Sequence, residues 1–286
     1  MTRSVKGPLW ATLFAFIAAM AFLFALLHGG EPARAGDGYR QPQVIGGDEV
    51  PDGKYPFVAV LYDRVYGSPF KAQFCGGALI DRNSVLTAAH CVEDTPAKRV
   101  GVTVGRTVLS SRQGKVRRVS RIHVHPKWNP RTFANDTAVL KLNKPVKGVA
   151  PIELATESQD SLEEAGESAT VAGWGNTIAQ PPDGGAGSRY PDRMREAPVP
   201  LVSDSDASQI YGTDFIESLM VAAGETGKDA CKGDSGGPMF TRVSGKYTQI
   251  GITSWGVGCG AEGFPGVYAE VNSSSIRSFI VKAARR

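Results

Sequence analysis

Ser235 sits in Gly233-Asp234-Ser235-Gly236-Gly237-Pro238, a hexapeptide that crowds three glycines and a proline around one hydroxyl. Glycines let the backbone take positive φ and let another molecule approach closely. Turns of that kind aim consecutive backbone N–H groups at one point, which suits a developing negative charge. A serine there is a candidate nucleophile, and an alcohol needs a base to take its proton. Taken alone the segment also reads as a Gly-rich surface turn, so the base has to be found elsewhere in the chain.

The chain has four histidines, His28, His90, His123 and His125, and none follows Ser235. That excludes the α/β-hydrolase order of serine, then acid, then histidine. His90 closes Leu86-Thr87-Ala88-Ala89-His90-Cys91, and Asp136 heads the strand-like alternation Asn135-Asp136-Thr137-Ala138-Val139-Leu140-Lys141-Leu142. The order His90, Asp136, Ser235 is the chymotrypsin order among the convergent triads.

On these stretches the chain resembles the chymotrypsin-type serine proteases, in their trypsin-like branch and close to the secreted bacterial trypsins. The likeness runs from Val44 to the C-terminus. It includes Val44-Ile45-Gly46-Gly47, Thr87 to Cys91, Gly173-Trp174-Gly175, Gly233 to Pro238, Ser254-Trp255-Gly256 and Pro265-Gly266-Val267-Tyr268. The resemblance implies that Ser235 attacks a scissile carbonyl, that His90 takes and returns its proton, and that Asp136 orients the imidazole. It further implies an oxyanion hole from the N–H groups of Gly233 and Ser235, with Ser254 bonding the triad acid. Asp229, six residues before Ser235, takes the place of the carboxylate at the base of the primary pocket. Ala230, Lys232, Trp255, Gly256, Gly258 and Gly266 fall at the remaining substrate-binding positions, and Phe133 at the family's cleft position beside the histidine. A buried carboxylate favours a substrate Arg or Lys over an apolar side chain, because leaving it unpaired is costly.

Two disulfides are implied by family position, Cys75–Cys91 and Cys231–Cys259. A further family pair is absent, since Ala207 and Ala222 stand there. The likeness also makes Asp234 an activation switch that pairs with a new α-amino group at Val44, released by an activating protease that cuts after Gln43. Protein or peptide substrates with a basic P1 residue, a proteinaceous inhibitor and a monomeric state complete the implied partners. No cofactor and no metal is expected.

The elements that must position these residues are short. Phe57–Tyr62, Ser84–Thr87, Val100–Val104, Val116–Val119, Ala138–Leu142, Ala169–Ala172, Gln249–Ser254 and Val267–Val271 are β-branched runs punctuated by Gly, Pro, Asn and Asp. That cadence predicts an all-β sandwich or barrel. The resemblance sharpens it to two antiparallel six-stranded β-barrels, about 44–150 and 165–270, with the active site in the cleft between them. Asn143–Gly166 reads as the connection, and the Pro/Gly-rich Asn176–Arg189 as a mobile surface loop. Ile276, Phe279 and Ile280 fall at helical spacing behind Ser273–Ser275, which predicts a short C-terminal helix over about 273–284.

Two weaker signals stand apart. His123 and His125, two apart on a strand, would face one side, but a metal would need another ligand. Arg112, Lys115, Arg117, Arg118 and Arg121 read as a solvated edge strand, where such charges oppose edge pairing, or as an anion exosite.

The first 43 residues read as targeting and processing segments. Arg3 and Lys6 precede the apolar run Leu9–Leu27, and Ala33-Arg34-Ala35 offers an A-x-A cleavage site. Residues 1–35 are thus a signal peptide and 36–43 a propeptide ahead of a protease domain at 44–286. The 19-residue run is also long enough to span a bilayer, so a retained anchor is the competing reading. The four cysteines fit an oxidising compartment outside the cytoplasm. The full chain carries +4; residues 1–43 hold four Lys/Arg and two acids, leaving 28 basic and 26 acidic residues beyond them. That near balance gives no reason to invoke nucleic acid. A catalytically silent binding module on the same fold would lack a triad member, and all three are present.

Overall fold

A computed structural model describes residues 44–286. The expected signal peptide, anchor and propeptide lie outside the described residues.

The chain first lays down β1 (Asp48–Glu49), then six strands of one closed barrel: β2 (Val58–Asp63), β3 (Gln73–Asp81), β4 (Ser84–Thr87), β5 (Val100–Val104), β6 (Lys115–Val124) and β7 (Ala138–Leu142). They are ordered β2-β3-β4-β7-β6-β5, and β5 closes back onto β2 antiparallel with Val60 opposite Thr103. Register shifts at Leu61/Tyr62, Leu79/Asp81 and Val119/Arg121 supply the local twist a small barrel needs to close. Leu61, Leu79, Leu86 and Leu140 fill its interior with no exposed surface. A closed barrel has no free edge. β6 pairs with β5 on one side and β7 on the other, so its basic residues do not lie on an edge strand as the sequence suggested.

After β8 (Glu153–Leu154), six more strands follow: β9 (Ser168–Gly173), β10 (Arg195–Val202), β11 (Met220–Ala223), β12 (Pro238–Val243), β13 (Lys246–Trp255) and β14 (Gly266–Glu270). Their order is β9-β10-β11-β14-β13-β12, closed by β12 on β9. The two barrels are thus both six-stranded and antiparallel. β1 joins the second one rather than the first, pairing Asp48 with Glu196 on β10. β8, inside the connection, runs parallel to β13.

Three helices complete the chain. α1 (Pro69–Ala72) is a single turn. α2 (Asp204–Tyr211) is capped by Ser203, whose hydroxyl accepts from the Asp206 N–H at 3.1 Å. Ala207 on α2 and Ala222 on β11 are fully buried in one apolar cluster, so packing occupies the place where the family often carries a disulfide. α3 (Ser274–Arg285) buries Ile276, Ile280 and Ala283 in the same core as Leu79 and Leu140. Its leading serine does not cap it; the Ser273 hydroxyl donates instead to the Ser218 carbonyl at 2.6 Å.

Candidate active site

His90 follows β4, Asp136 precedes β7, and Ser235 lies in the turn ahead of β12. The Gly76 N–H on β3 donates to the Ser235 carbonyl at 2.7 Å and so ties the serine turn to the first barrel. Cys75–Cys91 anchors the histidine segment to β3, and Cys231–Cys259 ties the serine loop to the segment after β13. Closing such loops stabilises by a few kcal/mol through the unfolded chain, about 2–4 kcal/mol each.

Asp136 has no exposed surface. Its Oδ1 accepts from the His90 backbone N–H at 2.9 Å, and its Oδ2 lies 2.7 Å from His90 Nδ1. Ser254 Oγ donates to the same Oδ2 at 2.6 Å. The imidazole is therefore held in one orientation, with Nε2 turned away from the carboxylate and 3.6 Å from Cys91 Sγ. The Ser235 hydroxyl makes no hydrogen bond among the described residues, to His90 or to any other group. Such bonds are often long before a substrate is present and tighten in the complex. The N–H groups of Gly233, at φ +100°, and of Ser235 donate to no described residue, whereas those of Asp234, Gly236 and Gly237 are all bonded.

Beside the serine opens a cavity of about 170 Å³ lined by Asp229, Ala230, Lys232, Ser254, Trp255, Gly256, Gly258 and Gly266, all expected from sequence. Asp229 is 4% exposed. Its Oδ2 accepts from the Gly260 N–H at 3.0 Å, while Oδ1 is buried without a partner. Burial pushes its carboxyl up to about 7, against the pull of the Gly260 and Ala230 N–H groups. Gly266 is required here, because an added Cβ would stand 2.5 Å from Asp229 Oδ1.

Sequence reasoning missed Tyr268, which lines the same cavity and whose fully buried hydroxyl has no partner. The signal was available, since residues 266 and 268 of one strand share a face. It also missed Tyr190, whose ring lies against Gly233, where an added Cβ would be 3.3 Å from it. The Phe133 ring centroid lies 5.8 Å from that of His90 and 5.6 Å from that of Trp128.

Asp234 points away from the cavity into the second barrel. Its oxygens accept from Gly175 N–H at 2.7 Å and Cys231 N–H at 3.1 Å, and burial pushes its carboxyl up to about 6. Among the described residues no Lys, Arg or His pairs with it. Val44 is 1% exposed, in one apolar cluster with Ala230 and Tyr268, and Ile45 bridges to Asp229.

The family model described as Trypsin matches residues 44–280. The chain belongs to the trypsin family. It is 41% identical over 232 residues to "Trypsin" of Saccharopolyspora erythraea, covering 80% of this chain and 94% of that one. To "Trypsin-1" of Astacus astacus it is 34% identical over 239 residues, with 80% and 95% covered. To "Trypsin alpha" of Drosophila melanogaster it is 38% identical over 215 residues, with 73% and 77% covered. This trypsin-family protein is a serine endopeptidase of the chymotrypsin fold.

Two segments singled out in the sequence lie beside these catalytic groups. The 176–189 segment runs over the surface as an irregular loop whose first residues are anchored. Asn176 and Gln180 are buried, Asn176 Oδ1 accepts from the Arg189 N–H at 2.7 Å, and Gln180 exchanges backbone bonds with Cys259. His125 packs on the Phe279 ring at 4.7 Å, and among the described residues neither it nor His123 joins a metal-ligand cluster. Among the described residues the one such gathering, Cys75, His90 and Cys91, has both thiols locked in a disulfide.

Proposed function

We propose that this protease is exported, is cut from a zymogen, and hydrolyses peptide bonds after Arg in preference to Lys. Ser235 adds to the carbonyl carbon as His90 takes its proton, and the Gly233 and Ser235 N–H groups receive the developing oxyanion. The imidazolium returns the proton to the leaving amine, and a water then repeats both steps on the acyl-enzyme. Asp136 holds the tautomer and stabilises the imidazolium without itself taking the proton.

The observation that carries the specificity is the unpartnered Oδ1 of Asp229 in a cavity lined by glycines and alanine beside Ser235. A guanidinium entering that cavity is long enough to meet the carboxylate bidentately, whereas an ammonium is shorter and a point charge. Ala230 offers it no added hydroxyl. The export signal at 1–35, the propeptide at 36–43 and a monomeric state belong to the same proposal; membrane anchoring through Leu9–Leu27 is its alternative.

The test is cleavage profiling of a peptide library with the form beginning at Val44, alongside Ser235→Ala and Asp229→Ser. Ser235→Ala should abolish turnover with an unchanged fold, and Asp229→Ser should lose the basic P1 preference. Continued selective cutting after Arg by the second variant would place the pocket elsewhere.

A further inference from the structure

Asp136 is the middle residue of a three-residue turn, closed by the Thr137 N–H donating to the Asn135 carbonyl at 2.7 Å. In a turn this tight the direction of the central side chain follows from where its two neighbours are held. Thr137 is held by the His125 N–H, just past β6, which donates to its carbonyl at 3.0 Å. Asn135 takes φ +56°, a left-handed conformation that asparagine tolerates better than most residues. It is buried, and its amide is bonded at both ends. Nδ2 donates to the Lys127 carbonyl at 3.2 Å, and Oδ1 accepts from the Ser275 hydroxyl at 2.8 Å. Ser275 stands in the first turn of α3, 140 residues further along the chain.

His125 fixes Ser275 in turn. The Lys127 N–H can only donate, so His125 Nδ1, 3.1 Å away, is the acceptor and the ring proton sits on Nε2. Nε2 faces the Ser275 carbonyl at 3.3 Å and its hydroxyl at 3.5 Å. Burial pushes the pKa of His125 down, which keeps the ring in this neutral form. Phe279, one turn further along α3, packs on the same ring. Through its backbone and both ring nitrogens, one histidine thus joins the segments on either side of Asp136 to the C-terminal helix. A serine at a helix start commonly bonds back to its own backbone. The Ser275 hydroxyl donates instead to the residue before the triad acid.

We propose that Ser275 and Asn135 are positioning residues for the reaction, and that α3 through them holds the backbone turn that aims Asp136 at His90. The inference rests on the triad proposed above. His90 and Ser254 bond the carboxylate itself, whereas Asn135 and Ser275 act on the backbone that carries it. A small displacement of that carboxylate weakens its bond to Nδ1 and lets the imidazole turn, so proton transfer slows. Binding of the substrate side chain is a separate matter. Among the described residues that line the Asp229 cavity, none belongs to α3 or to the 125–137 segment. The expected signature is a loss in kcat with KM retained.

The experiment measures kcat and KM of the activated protease on an arginyl amide for Ser275→Ala, Ser275→Thr, Asn135→Gly, Ile280→Val and Asp136→Asn. Ser275→Ala should lower kcat about five- to tenfold while KM stays within about twofold of the wild type. Asn135→Gly keeps the left-handed backbone but removes the amide, and should lower kcat further. Ser275→Thr keeps the hydroxyl and should recover to within about twofold. Ile280→Val loosens the packing of the same helix, so it should lower the thermal midpoint with kcat unchanged. In proton NMR, the resonance of the proton between His90 Nδ1 and Asp136 should move in Ser275→Ala and hold its place in Ile280→Val. Wild-type kcat in Ser275→Ala, an undiminished loss in Ser275→Thr, or an equal loss in Ile280→Val would overturn the inference. If Asn135→Gly does not fold, the Ser275 pair decides alone. Asp136→Asn separates this inference from the triad reading. It should lose roughly ten-thousandfold in kcat, and wild-type turnover in that variant would remove the triad itself.

Discussion

Ser254 and His90 share one oxygen of Asp136, the hydroxyl at 2.6 Å and the imidazole Nδ1 at 2.7 Å from Oδ2. The carboxylate is fully buried, so each donor offsets part of the cost of keeping its charge out of water. Ser254→Ala removes one donor and leaves that oxygen under-bonded. The expected outcome is a stability loss of about 1–3 kcal/mol in denaturant unfolding. A fall of roughly tenfold in kcat/KM on an arginyl amide should accompany it, corresponding to about 1.4 kcal/mol. If both quantities stay at the wild-type value, Ser254 does not support the dyad.

Asp229 sets a pH dependence of stability. Its carboxyl lies at about 7 in the folded protein, above the ordinary value of 3.8, because it is buried. The folded state therefore binds more protons between those two values, and stability falls as pH rises through that window. Asp229→Asn removes the buried charge. Measured in a Ser235→Ala background to stop self-digestion, the variant should gain on its parent from about pH 4 to about pH 7 and hold the gain above it. The gain should be on the order of a few kcal/mol. Asp234, pushed up to about 6, titrates in both proteins, and its charge is the smallest of the causes acting on Asp229, so the Asp229 contribution dominates the difference. A pH-independent difference would show that Asp229 is solvated.

The unpartnered Asp229 Oδ1 also bears on lysine. Ala230→Ser places a hydroxyl next to it, able to bridge to an ammonium too short to arrive alone. The ratio of kcat/KM for matched Arg and Lys substrates should fall about fivefold, the worth of one hydrogen bond of roughly 1 kcal/mol. A ratio already near unity in the wild type would remove the premise.

Phe133 carries φ +55°, a conformation that suits glycine. Its ring stands 5.8 Å from His90 and 6.5 Å from Trp255, which narrows the space for a P2 side chain. Library profiling should show small P2 residues preferred, and Phe133→Gly should admit Leu and Phe there without loss of fold. Bulky P2 residues cut equally well by the wild type would refute the assignment.

These sites were legible in sequence to different depths. Asp229 and Ser235 lie six residues apart in one short stretch, and its resemblance to the family's motifs is what implied their roles. The short apolar runs announced strands, because burial imposes a period on each run by itself. Pairing is another matter. Nothing local to Asp48 indicates that it meets Glu196 on β10, 148 residues away, and the two-residue β1 is too short to have a period. The 176–189 segment looked free because Pro and Gly dominate it, yet two buried amides, Asn176 and Gln180, staple it through bonds to backbone that composition does not reveal. The basic run on β6 misled for a related reason. Whether a charged strand is an edge depends on what lies beside it, and β6 has a neighbour on each side.

Activation should not be autocatalytic at the productive bond. Asp234 is a buried carboxylate held by two backbone N–H groups and by no cation among the described residues. Breaking or withholding the partner of such a charge is costly, about 3–5 kcal/mol, so a new ammonium group beside it would strongly favour the assembled site. Val44, buried in the same barrel as Ala230 and Tyr268, is the residue whose amino group would serve. The bond to cut is then Gln43–Val44, and neutral glutamine cannot pair with Asp229. Arg40 is the only basic residue between 36 and 43. A cut after it would leave Gln41-Pro42-Gln43 attached and keep the amino group from Asp234. A protease of different specificity, or trimming after a first cut at Arg40, is therefore required. The form beginning at Gly36, incubated alone at high concentration, should yield at most a Gln41 N-terminus and little activity. Appearance of a Val44 N-terminus with matching activity, in a preparation free of a second protease, would overturn this expectation.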